Sequence, residues 1–104
     1  MLEKNYIKKI RQRLEEAGYL VHKTAERFSK GWPDLIAVGN YKVLFIEVKT
    51  EVNKLSALQE DNLFNIAKHN GLAYVARMKK GQEILSMACS NNTYIPVAGW
   101  HHIL

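Results

Sequence analysis

The sequence is poor in features on which several classes of protein depend. It has a single cysteine, Cys89, so an intramolecular disulfide is excluded and the chain is consistent with a reducing compartment. Its longest apolar runs are far too short to cross a membrane, and the N-terminal segment MLEKNYIKK lacks the apolar centre of a signal peptide. We therefore expect no membrane partner.

Repeats, low-complexity segments and linkers are absent as well. The chain has 104 residues, of which 47% are hydrophobic, and this is enough for one modest core but not for a second domain. No glycine-rich loop precedes a helix, so we expect no nucleotide cofactor. Cys89 has no neighbouring base that would make it a nucleophile. The sequence therefore predicts a single domain over residues 1–104.

Positive charge is in excess. Fifteen Lys and Arg residues stand against ten Asp and Glu residues, which gives a formal net charge of +5. This balance favours a phosphate-rich partner, although charge alone does not distinguish nucleic acid from a membrane surface. Arg27, Lys30 and Lys54 lie on predicted loops and are candidate DNA contacts. The alternative is that they are solvated loop residues with no specific role.

The most informative stretch is GWPDLIAVGNYKVLFIEVK, residues 31–49. Two short apolar runs, Leu35–Val38 and Val43–Val48, are separated by Gly39–Lys42. Apolar runs of this length, rich in β-branched residues and flanked by Gly and Asn, predict two strands of a hairpin. We take Asn40 and Tyr41 as the tip.

Three charged residues, Asp34, Glu47 and Lys49, stand where such strands should carry hydrophobic side chains. With Asn40 and Tyr41 at the tip, Asp34 lies opposite Glu47, and Lys49 follows two residues later on the same face. A tip at residues 39–40 also keeps all three together, whereas a three-residue tip would move Asp34 to the other face. The prediction therefore depends on an even-length turn.

Two carboxylates that face each other among apolar residues repel unless a positive charge lies between them. A divalent cation meets this need, and hard oxygen ligands suit Mg²⁺ or Mn²⁺, which keep open positions for water. Lys49 would then orient a water molecule or neutralise an anionic oxygen beside the metal. The alternative is a surface salt-bridge cluster on a half-exposed sheet.

The N-terminal part is predicted to form a helix and then a strand. Leu2–Ala17 has apolar residues at helical spacing, and Glu3 falls on the same stripe, from which it could reach the strand carboxylates. Alternatively, Glu3 is a first-turn residue favoured by the helix dipole. Tyr19–Thr24 is predicted to be the first strand. Trp32 precedes Pro33, so the pair should be extended, and we expect Trp32 to pack in the core rather than to stack on a nucleotide.

A second helix should begin after Ser56 and end near Asn70, because Ser56 and Gln59 form a capping-box pattern. Gln59 would point inward beside the strand ends, or it would only cap the helix, and the two roles are compatible. Three later elements are also expected: a strand, a short helix and a last short strand, over Leu72–Met78, Gly81–Cys89 and Tyr94–Val97.

Taken together, these motifs resemble the PD-(D/E)xK nuclease superfamily, and within it the virus-type replication-repair nuclease (VRR-NUC) domain, a relative of Holliday junction resolvases. The resemblance runs from Glu3 to about Arg77. It is carried by the segments GWPDLI, FIEVK and LSALQ, which begin at Gly31, Phe45 and Leu55. Trp32 departs from the pattern, since a smaller residue is expected there.

The resemblance implies an α/β fold of the restriction-endonuclease-like type, a mixed β-sheet flanked by helices. It also implies a site. Asp34 and Glu47 would be metal ligands together with the carbonyl of Val48, and Lys49 would activate the attacking water. Glu3 and Gln59 would match the remaining polar residues of the family site.

The function implied is Mg²⁺- or Mn²⁺-dependent hydrolysis of DNA phosphodiesters. We see no fused domain in this sequence that would point to a different DNA substrate. We expect a resolvase acting on Holliday (four-way) junctions as a homodimer, since two symmetric cuts suit a twofold enzyme. The dimer would use the hairpin, the second helix or the apolar tail. The alternatives are a flap, nick or general endonuclease with the same site, and a catalytically silent DNA-binding module. The resemblance also leads us to expect an intracellular protein of phage or mobile-element origin, which would act in the cytoplasm of a bacterial host if a phage encodes it.

Overall fold

The computed structural model describes residues 1–25 and 30–104. Within those residues the chain forms two α-helices, six β-strands and a short 3₁₀ helix. In chain order these are α1 (Glu3–Glu16), β1 (Leu20–Lys23), β2 (Leu35–Gly39), β3 (Lys42–Thr50), α2 (Ala57–Lys68), β4 (Leu72–Lys79), β5 (Gln82–Ala88), β6 (Tyr94–Val97) and the 3₁₀ helix Trp100–His102. No helix among the described residues is long and apolar enough to span a bilayer.

The six strands form one mixed sheet in the order in which they occur in the chain. Neighbouring strands are antiparallel except β3 and β4, which are parallel. A parallel pair needs a long crossover, and α2 supplies it. The predicted α/β class with a mixed sheet and flanking helices is confirmed.

The β2–β3 hairpin has the two-residue turn that the sequence predicts. Asn40 and Tyr41 have φ angles of 49° and 62°, and two successive left-handed residues are typical of a type I′ turn. Leu35 pairs with Ile46, and Gly39 pairs with Lys42. Because this register continues to the start of β2, it brings Asp34 opposite Glu47.

Helix α1 covers one face of the sheet and packs against β1, β2 and β3. It buries four residues at helical spacing, Tyr6, Ile7, Ile10 and Leu14. The C-terminal segment extends this layer, since Trp100 and Ile103 are buried in the same core cluster. The predicted helix is confirmed.

Helix α2 covers part of the opposite face, where it packs against β4 and β5. Its N-terminus has the predicted capping box, because the Ser56 and Gln59 side chains each bond to the other's backbone. The part of this face formed by β1, β2 and β3 is more exposed. Leu20, Val38 and Val43 lie side by side across the three strands, and all three are exposed.

The prediction of a short helix over Gly81–Cys89 is wrong. Lys80 and Gly81 have φ angles of 50° and 74°, so they form a second two-residue turn of the type that joins antiparallel strands. Lys79 therefore pairs with Gln82, and β5 continues the sheet. The strands predicted at Leu72–Met78 and Tyr94–Val97 are present.

Candidate metal centre

Asp34 lies just before β2, and Thr24 hydrogen-bonds to the backbone carbonyls of Asp34 and of the residue before it. The Thr24 amide donates to the Asp34 carbonyl at 2.9 Å, and the Thr24 hydroxyl donates to the carbonyl of the buried Pro33 at 2.8 Å. The carboxylate is also fixed, because its Oδ2 accepts the backbone N–H of Val48 at 2.8 Å. Sequence reasoning did not identify Thr24, whose position only the pairing of β1 with β2 reveals.

Glu47 lies on β3 and is only 2% exposed. Its Oε2 lies 3.8 Å from Lys49 Nζ and accepts a long hydrogen bond, 3.4 Å, from Nε2 of Gln59. Its Oε1 is buried and has no hydrogen-bond partner in the described part of the chain. A buried carboxylate oxygen without a partner is costly, so the local structure leaves a need for a positive ligand.

The electrostatics of Glu47 point to the same need. Burial raises the pKa of Glu47 to about 9, the negative charge of Asp34 adds to the increase, and Lys49 only partly offsets it. Without a further cation, Glu47 would therefore hold a proton at neutral pH. A divalent cation beside the pair would stabilise the ionised form instead.

The available donors fit a hard divalent cation. Asp34 and Glu47 supply carboxylate oxygens. Val48 directs its N–H toward Asp34, and its carbonyl points to the same side because both groups of a strand residue face one neighbour. Within residues 1–25 and 30–104 no group of three His, Cys, Asp or Glu side chains is placed to hold a metal, and the family resemblance implies the carbonyl of Val48 as a further ligand. Oxygen ligands completed by water suit Mg²⁺ or Mn²⁺.

Gln59 makes both of the contacts that the sequence allowed. Its Oε1 accepts the backbone N–H of Ser56 at 2.9 Å, while its Nε2 donates to Glu47. The same side chain therefore caps α2 and links the helix to the acidic pair. The amide leaves Oε1 of Glu47 free for a metal.

Glu3 lies in the first turn of α1 and is partly exposed. Its negative charge also raises the pKa of Glu47, but less than burial and the charge of Asp34 do. It makes no hydrogen bond to Asp34 or Glu47 among the described contacts. The structure thus places Glu3 within electrostatic range of the acidic pair but not in direct contact with it.

The predicted DNA contacts are placed only in part. Lys30 and Lys54 are exposed, whereas Arg27 lies outside the described residues.

Arg77, which sequence reasoning did not select, pairs with Lys49 across β3 and β4. Its Nη1 donates to the carbonyls of Glu51 at 3.2 Å and Asn53 at 2.6 Å, so it holds the loop that leads from β3 to α2.

The expectation that Trp32 packs in the core is wrong, because its side chain is 45% exposed. Gly31 has a φ of +77° and packs against α2 so closely that a Cβ would lie 2.5 Å from Cγ of Leu58. Gly31 thus lies directly against the helix, and the indole of the next residue is left on the surface. Its ring lies 6.3 Å from that of Phe45.

Comparisons with known proteins bear on the family and the fold of the chain. Residues 2–80 match the VRR-NUC domain, whereas no curated protein matches the chain significantly. Among solved structures, the fold is similar to that of Hjc, a Holliday junction resolvase from the archaeal hyperthermophile Archaeoglobus fulgidus. The TM-score is 0.61 at 24% sequence identity, over 82% of this chain and 70% of that one.

Proposed function

The chain belongs to the VRR-NUC domain family, and from this membership we propose that it is a metal-dependent, structure-selective DNA endonuclease that resolves four-way junctions. One observation carries the proposal. Asp34 lies opposite the buried Glu47, whose carboxylate is 3.8 Å from Lys49 Nζ, and Oε1 of Glu47 has no hydrogen-bond partner in the described part of the chain. A nuclease metal ion would occupy this position.

Each residue of the site has a separate role in the proposed hydrolysis of the phosphodiester. Asp34, Glu47 and the carbonyl of Val48 would hold Mg²⁺ or Mn²⁺, which when bound would polarise the phosphate and acidify water. Lys49, 12% exposed at its side chain, would orient the attacking water and offset the charge that develops on the phosphate oxygens. Gln59 keeps Glu47 in position, and Glu3 adds negative charge that favours cation binding. Water attacks phosphorus in line, and the 3′ oxygen departs.

The substrate is proposed to be branched DNA. A domain of this size has little surface for reading base sequence, so shape is the more accessible source of selectivity. The similar solved structure is that of a Holliday junction resolvase, which supports a four-way junction over a flap or a nick. Exposed Lys30 and Lys54 are proposed to contact phosphates beside the site, and a positive net charge favours such contacts.

We further propose that two copies associate through the exposed apolar row formed by Leu20, Val38 and Val43. This row lies at the turn end of the hairpin, whereas Asp34 and Glu47 lie at the other end, so dimerisation would leave both sites open. A twofold dimer presents two sites related by symmetry, as the two cuts in a four-way junction require.

The decisive experiment compares end-labelled four-way junction, flap and linear duplex in Mg²⁺, Mn²⁺ or EDTA, with Glu47→Gln as the control. Paired symmetric nicks in the junction that disappear in EDTA and in the variant would establish the resolvase. We expect Glu47→Gln and Asp34→Asn to bind DNA as tightly as the wild type or more tightly, because each removes negative charge that faces the phosphates.

Other outcomes would change the proposal in defined ways. Equal cleavage of flaps and duplexes would retain the metal site and discard the junction. Salt-sensitive DNA binding without metal-dependent cleavage would favour a silent binding module. Cleavage unchanged by Asp34→Asn would exclude the site itself.

The dimer is tested separately by placing a charge in the apolar row. Val43→Lys should give a monomer in sedimentation or light scattering, while Ile95→Lys, at a similarly exposed apolar position on β6, should not. A wild-type chain that is monomeric at high concentration would contradict this interface.

A further inference from the structure

One large aromatic side chain lies on the surface beside the acidic pair. The chain has two tryptophans. Trp100 is 8% exposed, and its indole N–H donates to Glu83 at 2.8 Å. Trp32 is 45% exposed. An exposed indole presents a wide apolar face to solvent, and Trp is enriched at interfaces, where such a face can be covered by a ligand.

The position of Trp32 ties it to the candidate metal centre. It lies two residues before Asp34 in the chain, and its ring lies next to that of Phe45, at 6.3 Å and an interplanar angle of 45°. Phe45 and Glu47 are on the same face of β3, two residues apart, which corresponds to about 7 Å along a strand. Because the two rings are 6.3 Å apart, the indole lies no more than about 13 Å from the acidic pair, a distance that about four stacked bases span at about 3.4 Å each.

The backbone on both sides of Trp32 is fixed. Gly31 packs against Leu58 of α2, and the carbonyl of the buried Pro33 accepts the hydroxyl proton of Thr24. The indole is therefore presented from an ordered backbone at a constant distance from Asp34, which suits a side chain that must hold a ligand in register with the site.

We propose that Trp32 stacks on a base whose flat face is exposed at the branch point near the scissile phosphate, and so favours branched over continuous DNA. This inference rests on the proposed function. Aromatic side chains hold bases by their flat faces, whatever the base. In a continuous duplex those faces are covered by neighbouring base pairs, whereas a branch point exposes them.

A base suits this position better than a second copy of the chain. Exposed Lys30, two residues before Trp32, and Lys49, beside Glu47, add positive charge to this end of the hairpin, and this charge complements a DNA backbone. The apolar row Leu20, Val38 and Val43, by contrast, lies at the other end of the hairpin. The area around Trp32 is thus a mixed aromatic and cationic surface rather than a continuation of that row.

The first test uses fluorescence. Trp100→Phe leaves Trp32 as the only tryptophan, and in EDTA the variant can be titrated with single-stranded oligonucleotide, four-way junction and linear duplex without cleavage. We expect strong quenching by the single strand and the junction, and much weaker quenching by bound duplex. If Trp100→Phe does not fold, the difference between wild type and Trp32→Phe reports the same signal.

The second test measures selectivity. Trp32→Ala should lower the ratio of junction to duplex cleavage about tenfold, in keeping with the loss of one stacked base, and Trp32→Phe should retain most of it. Ile84→Ala removes another exposed apolar side chain, at 49% exposure on β5 of the same sheet face, and should leave the ratio unchanged.

The outcomes separate this inference from the proposed function. If the wild type cleaves junctions but Trp32→Ala keeps the same ratio and no quenching occurs, the stacking role is wrong and the nuclease stands. If Trp32→Ala changes the oligomeric state and not the ratio, Trp32 is an interface residue and the inference is overturned. If no DNA is bound or cleaved, the proposed function and the inference both fail.

Discussion

At the scale of single residues, Glu47 is the position where stability and proposed function conflict. It is almost fully buried, it faces Asp34, and one of its oxygens has no hydrogen-bond partner among the described residues. A side chain chosen for stability alone would not be an acid. The conflict is resolved if a cation belongs to the site, because the same carboxylate then contributes binding energy instead of repulsion.

This conflict predicts a pH-dependent stability in EDTA. The pKa of Glu47 rises from 4.5 to about 9 on folding, so between these values the folded chain holds a proton that the unfolded chain releases. Stability should therefore be greatest below pH 4.5 as far as this group is concerned, and should fall as pH rises toward 9. Denaturant unfolding at several pH values measures the effect.

The control is Glu47→Gln, which cannot ionise. At pH 8 in EDTA it should be more stable than the wild type by about 1–3 kcal/mol, the usual scale for relieving an unsatisfied buried polar group. Mg²⁺ should stabilise the wild type and not the variant. A wild type with equal stability at pH 5 and pH 9 would contradict the argument.

Lys49 gives a prediction about rate. Lys49→Met removes the positive charge 3.8 Å from Glu47, and we expect single-turnover cleavage to fall about 10²–10³-fold while DNA binding changes little, because the charge acts on the reacting phosphate. Lys49→Arg should recover only part of the rate, since the guanidinium is larger and planar. If Lys49→Met cleaved DNA at the normal rate, Lys49 would have no role in the mechanism.

At the scale of elements, the turn between β2 and β3 controls the site. An even-length turn brings Asp34 opposite Glu47, and one additional residue would send the two carboxylates to different faces. The structure has this turn with two non-glycine residues in left-handed conformations. Such residues cost about 1–2 kcal/mol each, so the turn is strained where a glycine would not be.

Tyr41→Gly is therefore expected to stabilise the chain by about 0.5–1 kcal/mol. Tyr41 has φ 62°, and its side chain is fully exposed, so no packing is lost, and Asn-Gly is a favoured pair for this turn. Tyr41→Ala, which keeps a Cβ, should show no such gain. The midpoint of denaturation compares the two, and a destabilised glycine variant would contradict the turn geometry.

At the scale of the whole molecule, the segment beyond the family match completes the fold. The match ends at residue 80, yet β5 and β6 extend the sheet, and Trp100 and Ile103 are buried in the core beneath α1. Glu83 connects three parts of the chain, because it accepts hydrogen bonds from Tyr6 at 2.6 Å and from Trp100 at 2.8 Å.

We expect Ile103→Ala to cost about 2–5 kcal/mol of unfolding free energy, the range for truncating a buried aliphatic side chain, since Ile103 is 0% exposed. Ile95→Ala, at a position 46% exposed, should change stability by less than about 0.5 kcal/mol. Equal effects of the two changes would show that the C-terminal segment is not part of the cooperative core.

Particular residues show how far local pattern determined this protein. Apolar spacing predicted α1, the Ser56–Gln59 motif predicted the start of α2, and the residues around Asn40 and Tyr41 predicted the hairpin register, since each of these structures depends on neighbours a few positions away. The prediction of a helix over Gly81–Cys89 is wrong, because Lys80 and Gly81 form the same type of hairpin turn as Asn40 and Tyr41. The apolar spacing of Ile84, Leu85 and Ala88 suits a helix, but the strand buries only Leu85 and Ala88.

Long-range packing decided what local pattern could not. The sequence by itself determined which carboxylates face each other, because a strand alternates its faces and a two-residue turn sets the pairing. Only the tertiary structure placed α2 over β4 and β5, which brings Gln59 to Glu47 and leaves Trp32 exposed beside them. The part of a sheet that a crossover helix covers depends on contacts between segments far apart in the chain, and no local pattern records these contacts.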